Sequence, residues 1–214
     1  MLKRILNLFN PHTDDIARLV RAFPSALEKD VRALADILPF DERTIVVWYD
    51  TVHKLDFMVS AYKPDTIRLG EDEIQIPYRV YFREPEEDKI AALSDTQQAM
   101  LHCIYLRHHD GFVREKHLRS LIGVKNDFVF PFTIKLLGEY VIELLEILET
   151  MMSDELEKEF AELLVLNRKF WMRTQSRMTS YWDVYYRNDY PNLRNYVDKR
   201  LVDKLNRRMI TVNH

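Results

Sequence analysis

The chain has 214 residues, 47% of them hydrophobic, which is enough for one large domain or two small ones with a sizeable core. Charged residues make up 30% and the net charge is −3, the profile of a soluble, mostly helical protein. Only 4 Gly occur, with no GxGxxG and no GxxxxGKS/T, which excludes Gly-rich phosphate loops and disfavours tight-turned all-β folds.

The opening "MLKRILNLFNPHTDD" sets Lys3 and Arg4 before an apolar run too short for a signal segment. No apolar stretch approaches the ~18 residues of a membrane span. The lone Cys103, in "MLHCIYL", reads as a small buried side chain in a reducing compartment, and no CxxC motif is present. These features describe a cytoplasmic soluble protein.

Thr13 with two early acids caps "TDDIARLVRAF" as a helix. Ser25 and Glu28 form a capping-box pattern for the next helix, which Pro39 stops. The spacing Ile45, Trp48, Tyr49, Val52, Leu55 predicts a helix with Asp41 as cap, against a shorter strand reading over Ile45–Trp48. Between 65 and 83 the pattern changes to alternation: Ile67 and Leu69, then Ile74, Ile76, Tyr78 and Val80, with Gly70 between. That is a β-hairpin, and Pro77 makes its second strand an edge. From Pro85 onward everything reads as helix. Ser94 and Gln97 box one start; "VREKHLRSLI" follows Gly111; one helix runs from Asn126 through Met152; Ser153 caps another of about 30 residues, broken at most once; a last helix follows Pro191. The expectation is a single mainly α domain over 1–214, an irregular or solenoid-like helical array with one β-hairpin. Its sub-parts are N-terminal helices (1–60), the hairpin (65–83) and a C-terminal helical region (85–214).

The helix pair flanking Gly123 resembles one HEAT or armadillo unit, without a second copy in register. His109–Asp110 resembles the paired ligands of the HD metal-dependent phosphohydrolases. That family sets the pair inside an apolar helix, whereas here it abuts Gly111 at a helix end. Separately, His102 and His109 are seven apart and could share a helix face, which makes a metal site of His102, His109 and Asp110 the alternative reading. The residues themselves imply a corner. Arg107, His108 and His109 suit the carbonyl end of a helix, Gly111 suits a left-handed C-cap residue, and Asp110 suits the cap of the following helix. On this reading the chain has no cofactor.

Two charged surfaces stand out. Glu139, Glu143, Glu146 and Glu149 recur at four, three and three, which lines one face of a helix and turns it outward. From Asn167 to His214 there are 11 Lys/Arg against 4 Asp, so this tail is +7 and the remainder −10. Arg200, Lys204, Arg207 and Arg208 cluster on one side of the last helix. Upstream, Arg168, Arg173, Arg177 and Arg187 flank rings that include Trp171, Tyr181 and Tyr185. The expectation is a non-catalytic cytoplasmic interaction or scaffold module, bound to a protein partner or to itself through the ladder and the tail. A metal-dependent hydrolase centred on His102, His109 and Asp110 is the alternative. A nucleic-acid-binding accessory protein using the basic aromatic tail is the second alternative, and no membrane association is expected.

Overall fold

The computed structural model describes residues 12–40, 45–48, 51–54 and 57–212. Among these, helices dominate and the chain is mainly α. Helix α1 (Thr13–Val20) and helix α2 (Glu28–Ala35) open it. Their apolar sides bury Leu19, Val31, Leu34 and Ala35, with Phe23 in ring contact with Phe128 and Phe132 much later in the chain. The expected capping box at Ser25 does not form. Ser25–Leu27 is a 3-10 turn, the Ser25 amide donates to Asp72, and Glu28 instead accepts from Arg32 one helical turn on.

The helix expected over 41–57 is corrected. Strand β1 (Ile45–Trp48) and strand β2 (Thr51–Lys54) pair antiparallel, from Ile45 opposite Lys54 to Trp48 opposite Thr51. Five of those eight residues are β-branched, and such side chains lose little freedom in a strand and more in a helix. The proposed cap at Asp41 and the opening residues 1–11 lie outside the described residues.

The second hairpin forms where alternation placed it, in shorter strands. Strand β3 (Asp65–Leu69) and strand β4 (Asp72–Ile76) pair in register from Asp65 opposite Ile76 to Leu69 opposite Asp72. Gly70 takes φ 59° in the two-residue turn, a conformation with no steric cost only for glycine. Ile67, Ile74 and Ile76 are buried. After Pro77 the chain leaves the hairpin. Val80 then bridges two other segments, antiparallel to Val59 and parallel to His108. Asp15 on α1 fastens the first of these by accepting from the Met58 and Val59 amides at 3.0 and 2.9 Å.

Helix α3 (Glu87–Ala91) is short, and helix α4 (Asp95–Tyr105) opens with the expected Ser94–Gln97 box, both bonds present. Helix α5 (Gly111–Ser120) is capped by Asp110, whose carboxylate accepts from the Phe112 amide at 2.8 Å. Gly111 is the first residue of that helix and has no positive φ, so its expected left-handed role is corrected; Leu106 to His108 close the end of α4 with backbone bonds instead.

The helix expected from 126 to 152 is two helices. Helix α6 (Val129–Ile134) tightens into a 3-10 turn, Lys135–Gly138, and Glu139 is extended at φ −110° and ψ 169°. Gly138 is the weak point, since glycine costs about 1 kcal/mol in a helix interior. Helix α7 (Ile142–Met151) then begins afresh. Ser153 caps helix α8 (Asp154–Leu166) as expected, and the long helix breaks at Asn167 before helix α9 (Arg168–Tyr181). Helix α10 (Val197–Val212) folds back against α7, α8 and α9. Buried side chains from Leu19 to Leu205 form one continuous cluster. Among the described residues no helix is long and apolar enough to cross a membrane.

Candidate interaction surface

The helix break at Gly138 delivers Glu139 to the protein interior, where it is 4% exposed. Its Oε1 accepts from Arg79 Nη1 and Arg107 Nη2, both at 2.9 Å, and its Oε2 accepts from Arg79 Nη2 at 2.6 Å. Burial alone would raise this carboxyl; Arg79 and Arg107 outweigh it and hold it far below the ordinary carboxylate range. Arg107, fully buried, is pulled down to about 10 by the same desolvation and stays charged at neutral pH. Its guanidinium also donates to the Pro77 and Tyr78 carbonyls. Buried Arg114 donates Nη1 to the His108 and His109 carbonyls at 2.7 and 3.0 Å, and its guanidinium also lies against the Tyr140 side chain.

One turn before Glu139, Lys135 meets Asp65 at the start of β3, both side chains almost wholly buried. Arg173 and Arg177, one turn apart on α9, each give Asp65 one further contact at 3.2 Å. Burial would raise the Asp65 carboxyl, but the three cations lower it. Burial also pulls Lys135 down to about 7, with Arg107 adding repulsion. Six cations, Arg79, Arg107, Arg114, Lys135, Arg173 and Arg177, therefore share two carboxylates.

Tyrosines gather over this charge. Arg79 lies 4.9 Å over the Tyr78 ring, and Tyr78 meets Tyr62 edge-on at 5.5 Å. Next to Glu139, Tyr140 contacts Tyr181 and Tyr185 at 5.7 and 5.6 Å. Tyr62, Tyr140 and Tyr185 are 69%, 42% and 57% exposed. The Tyr186 hydroxyl donates to the Tyr140 carbonyl and holds that segment in place.

The sequence-derived site residues fall in different places. Glu139 leaves the proposed outward ladder and is corrected to a buried ion-pair centre, because the helix carrying the other three starts only at Ile142. Glu143, Glu146 and Glu149 do lie exposed on α7. Glu149 accepts from Arg200 of the basic tail at 2.8 and 3.0 Å, and Lys204 pairs with Glu157 on α8, so ladder and tail meet within one molecule. Arg207 is exposed, and Arg208 has a buried Nε without a partner. Trp171, expected beside the arginines, is core and donates to Asn206.

The histidines split into two groups. His102 Nδ1 lies 2.8 Å from His117 Nδ1, and His117 Nε2 lies 2.9 Å from Glu84. With Glu84 accepting from Nε2–H, His117 Nδ1 accepts and His102 carries the shared proton. His117 stacks on Tyr105 at 4.6 Å, and burial lowers it to about 4. His109 instead stacks on Tyr81, and its Nδ1 is buried without a partner. Asp110 serves as the α5 cap. Among the described residues no three His, Cys, Asp or Glu are placed to hold a metal, so His102, His109 and Asp110 do not converge as the alternative required.

The buried charges were missed because each of their partners lies far along the chain: Arg79 and Glu139 are 60 residues apart, Asp65 and Arg177 112. One signal was present. Lys135 interrupts the apolar run "VFPFTIKLLG", and a charge embedded in such a run needs a buried counter-charge.

Comparison with known protein families, with curated proteins and with solved structures returned no match.

Proposed function

We propose that the chain is a non-catalytic cytoplasmic protein-interaction module that engages its partner through the tyrosine–arginine face. The observation that supports this is that two tyrosine groups from separate segments, Tyr62 with Tyr78 and Tyr140 with Tyr181 and Tyr185, gather around the Arg79–Glu139 pair. Tyrosine offers a large contact area at low rotamer cost, and Tyr and Arg dominate the residues that carry interface energy. The buried ion pairs fix the rings' supports before any partner arrives, which reduces the ordering cost of binding. Glu143 and Glu146 on α7 form a secondary acidic contact, since neither has an ion pair among the described residues.

The test places a photo-crosslinking amino acid at Tyr185 or Tyr62 in cells, with Ile210 on α10 as an exposed control position. The expected result is a discrete protein adduct from 185 and 62 but not 210, lost when Tyr140→Ser is added without a change in melting temperature. Adducts of equal yield from all three positions, or none from 185 and 62, would overturn the reading.

A further inference from the structure

We propose that the tyrosine–arginine face is a binding site for a phosphate-class dianion, carried by a phosphorylated side chain of the protein partner; this rests on the interaction reading above. The first observation is charge. Six cations against two carboxylates leave a surplus of four, or three when Lys135 is neutral. A folded chain gains nothing by concentrating uncompensated cations in a low-dielectric region, unless an anion completes the set.

The second observation is how the guanidinium groups are held. Asp65 takes one nitrogen from Arg173 and one from Arg177, and their remaining nitrogens have no protein partner among the described residues. Both side chains are partly open to solvent, at 44% and 36%. They sit one helical turn apart on α9, and Tyr181 follows one turn later on the same face, with its ring against Tyr140. Asp65 thus acts as an inner anchor that orients two guanidinium forks outward. Planar forks pair with phosphate through two parallel N–H bonds, and a phenol supplies a further donor. Deeper in, buried Arg114 donates to the His108 and His109 carbonyls and lies against the Tyr140 side chain, with no carboxylate among the described residues bonded directly to it. It adds positive potential behind the mouth.

A phosphorylated side chain fits better than a run of carboxylates. The surplus is compact, gathered around two anchors, so it matches two charges on one group. An exposed tyrosine surround then meets the residues on either side of that group. A nucleic-acid strand would need cations spaced along a track, and the exposed Arg207 and Arg187 lie on other elements.

The experiment titrates the full chain with inorganic phosphate at constant ionic strength, chloride making up the balance, and reads melting temperature and calorimetric heat. Wild type should show saturable stabilisation. Arg177→Gln and Arg173→Gln should each weaken it by about tenfold, losing charge-assisted bonds, and Arg200→Gln should leave it unchanged. Tyr181→Phe, which keeps the ring and removes the hydroxyl, guards against variants that merely fold poorly and should weaken phosphate binding by a smaller factor. A panel of short phosphoserine and phosphotyrosine peptides, with unphosphorylated copies and oligothymidylate, then separates the sources. Phosphopeptides binding at least about tenfold tighter than their copies, with the same dependence on Arg177, support the proposal. Phosphate binding that is absent, or identical in Arg177→Gln, overturns it and leaves the crosslinking result to judge the interaction reading alone. Oligothymidylate outcompeting every phosphopeptide overturns both, in favour of a nucleic-acid ligand.

Discussion

At Glu139 one carboxylate satisfies two guanidinium groups in a site closed to water. Removing it leaves Arg79, Arg107 and Arg114 charged and unpaired, so Glu139→Gln should cost about 3–5 kcal/mol in denaturant unfolding. The sign with pH follows from its depressed pKa. Glu139 contributes stability above the unfolded carboxyl value of about 4.3 and loses it as pH falls toward the folded value. Wild type should therefore show a steep acid limb below about pH 4.5 that Glu139→Gln flattens. Lys135 runs the other way. Its folded value of about 7 lies below the unfolded one, so the unfolded chain holds the proton more tightly and stability rises between about pH 7 and 10. Lys135→Met should lack that rise, leaving Asp65 with Arg173 and Arg177. These residues also mark the limit of the sequence. Four glutamates at helical spacing look equivalent when read locally. Gly138, which ends the turn just before it, and a partner 60 residues upstream distinguish the first from the other three.

Asn167 shows the same limit for whole elements. Its amide accepts from the Arg68 amide at 2.7 Å and donates to the Arg68 and Leu163 carbonyls at 2.8 Å. It thereby supplies one strand-like pairing to β3 while ending α8, and the break in the long helix and the seat of the hairpin are one event. Asn167→Leu should cost about 1–3 kcal/mol and speed hydrogen exchange at Arg68, because it leaves both backbone groups of that residue unsatisfied. Local signals, by contrast, were legible where the partner is a near neighbour. Ser94, Asp110 and Ser153 cap the helices they precede, and Gly70 turns the hairpin between alternating strands. The first hairpin was hidden because Ile45, Trp48, Tyr49 and Val52 follow helical spacing, and only the density of β-branched residues argues for strands. In α10, Asp198 is fully buried with both oxygens unpartnered, and burial raises its pKa well above the ordinary value. Burial favours the neutral form of such a carboxyl, so its contribution is intact below the unfolded carboxyl value of about 3.9 and is lost as pH rises toward the folded value. Asp198→Leu should therefore stabilise the protein at pH 7, by about 1 kcal/mol or more, with a smaller gain at pH 4.

Across the molecule, the acidic and basic portions of the sequence are largely reconciled internally. Arg200 with Glu149 and Lys204 with Glu157 join α10 to α7 and α8. The Arg200–Glu149 pair is about half exposed, so Arg200→Gln should change stability by no more than about 1 kcal/mol and less in high salt. Glu143→Lys with Glu146→Lys should leave folding nearly unchanged, within about 0.5 kcal/mol, since both sites are exposed. If α7 also touches the partner, the double variant should lower the crosslinking yield at Tyr185 while its melting temperature stays that of wild type.

The tie between Asp65 and Arg177 also sets a clock. A chain emerging from the ribosome at about 5–20 residues per second delivers Arg177 roughly 6–22 s after Asp65. Lys135 can answer the Asp65 carboxylate earlier in that interval, but Arg68 waits for Asn167, and Asp65 for its two arginines, until almost its end. The hairpin can meet Arg21, Ser25 and Lys135 early, but its docking is completed only by α9 and the residue before it, and the net-negative portion of the chain is made before the positive tail. Nascent chains halted before α9 should therefore be cut by protease around residues 65–76, and protection there should appear abruptly once synthesis passes Tyr181 and the new segment clears the exit tunnel.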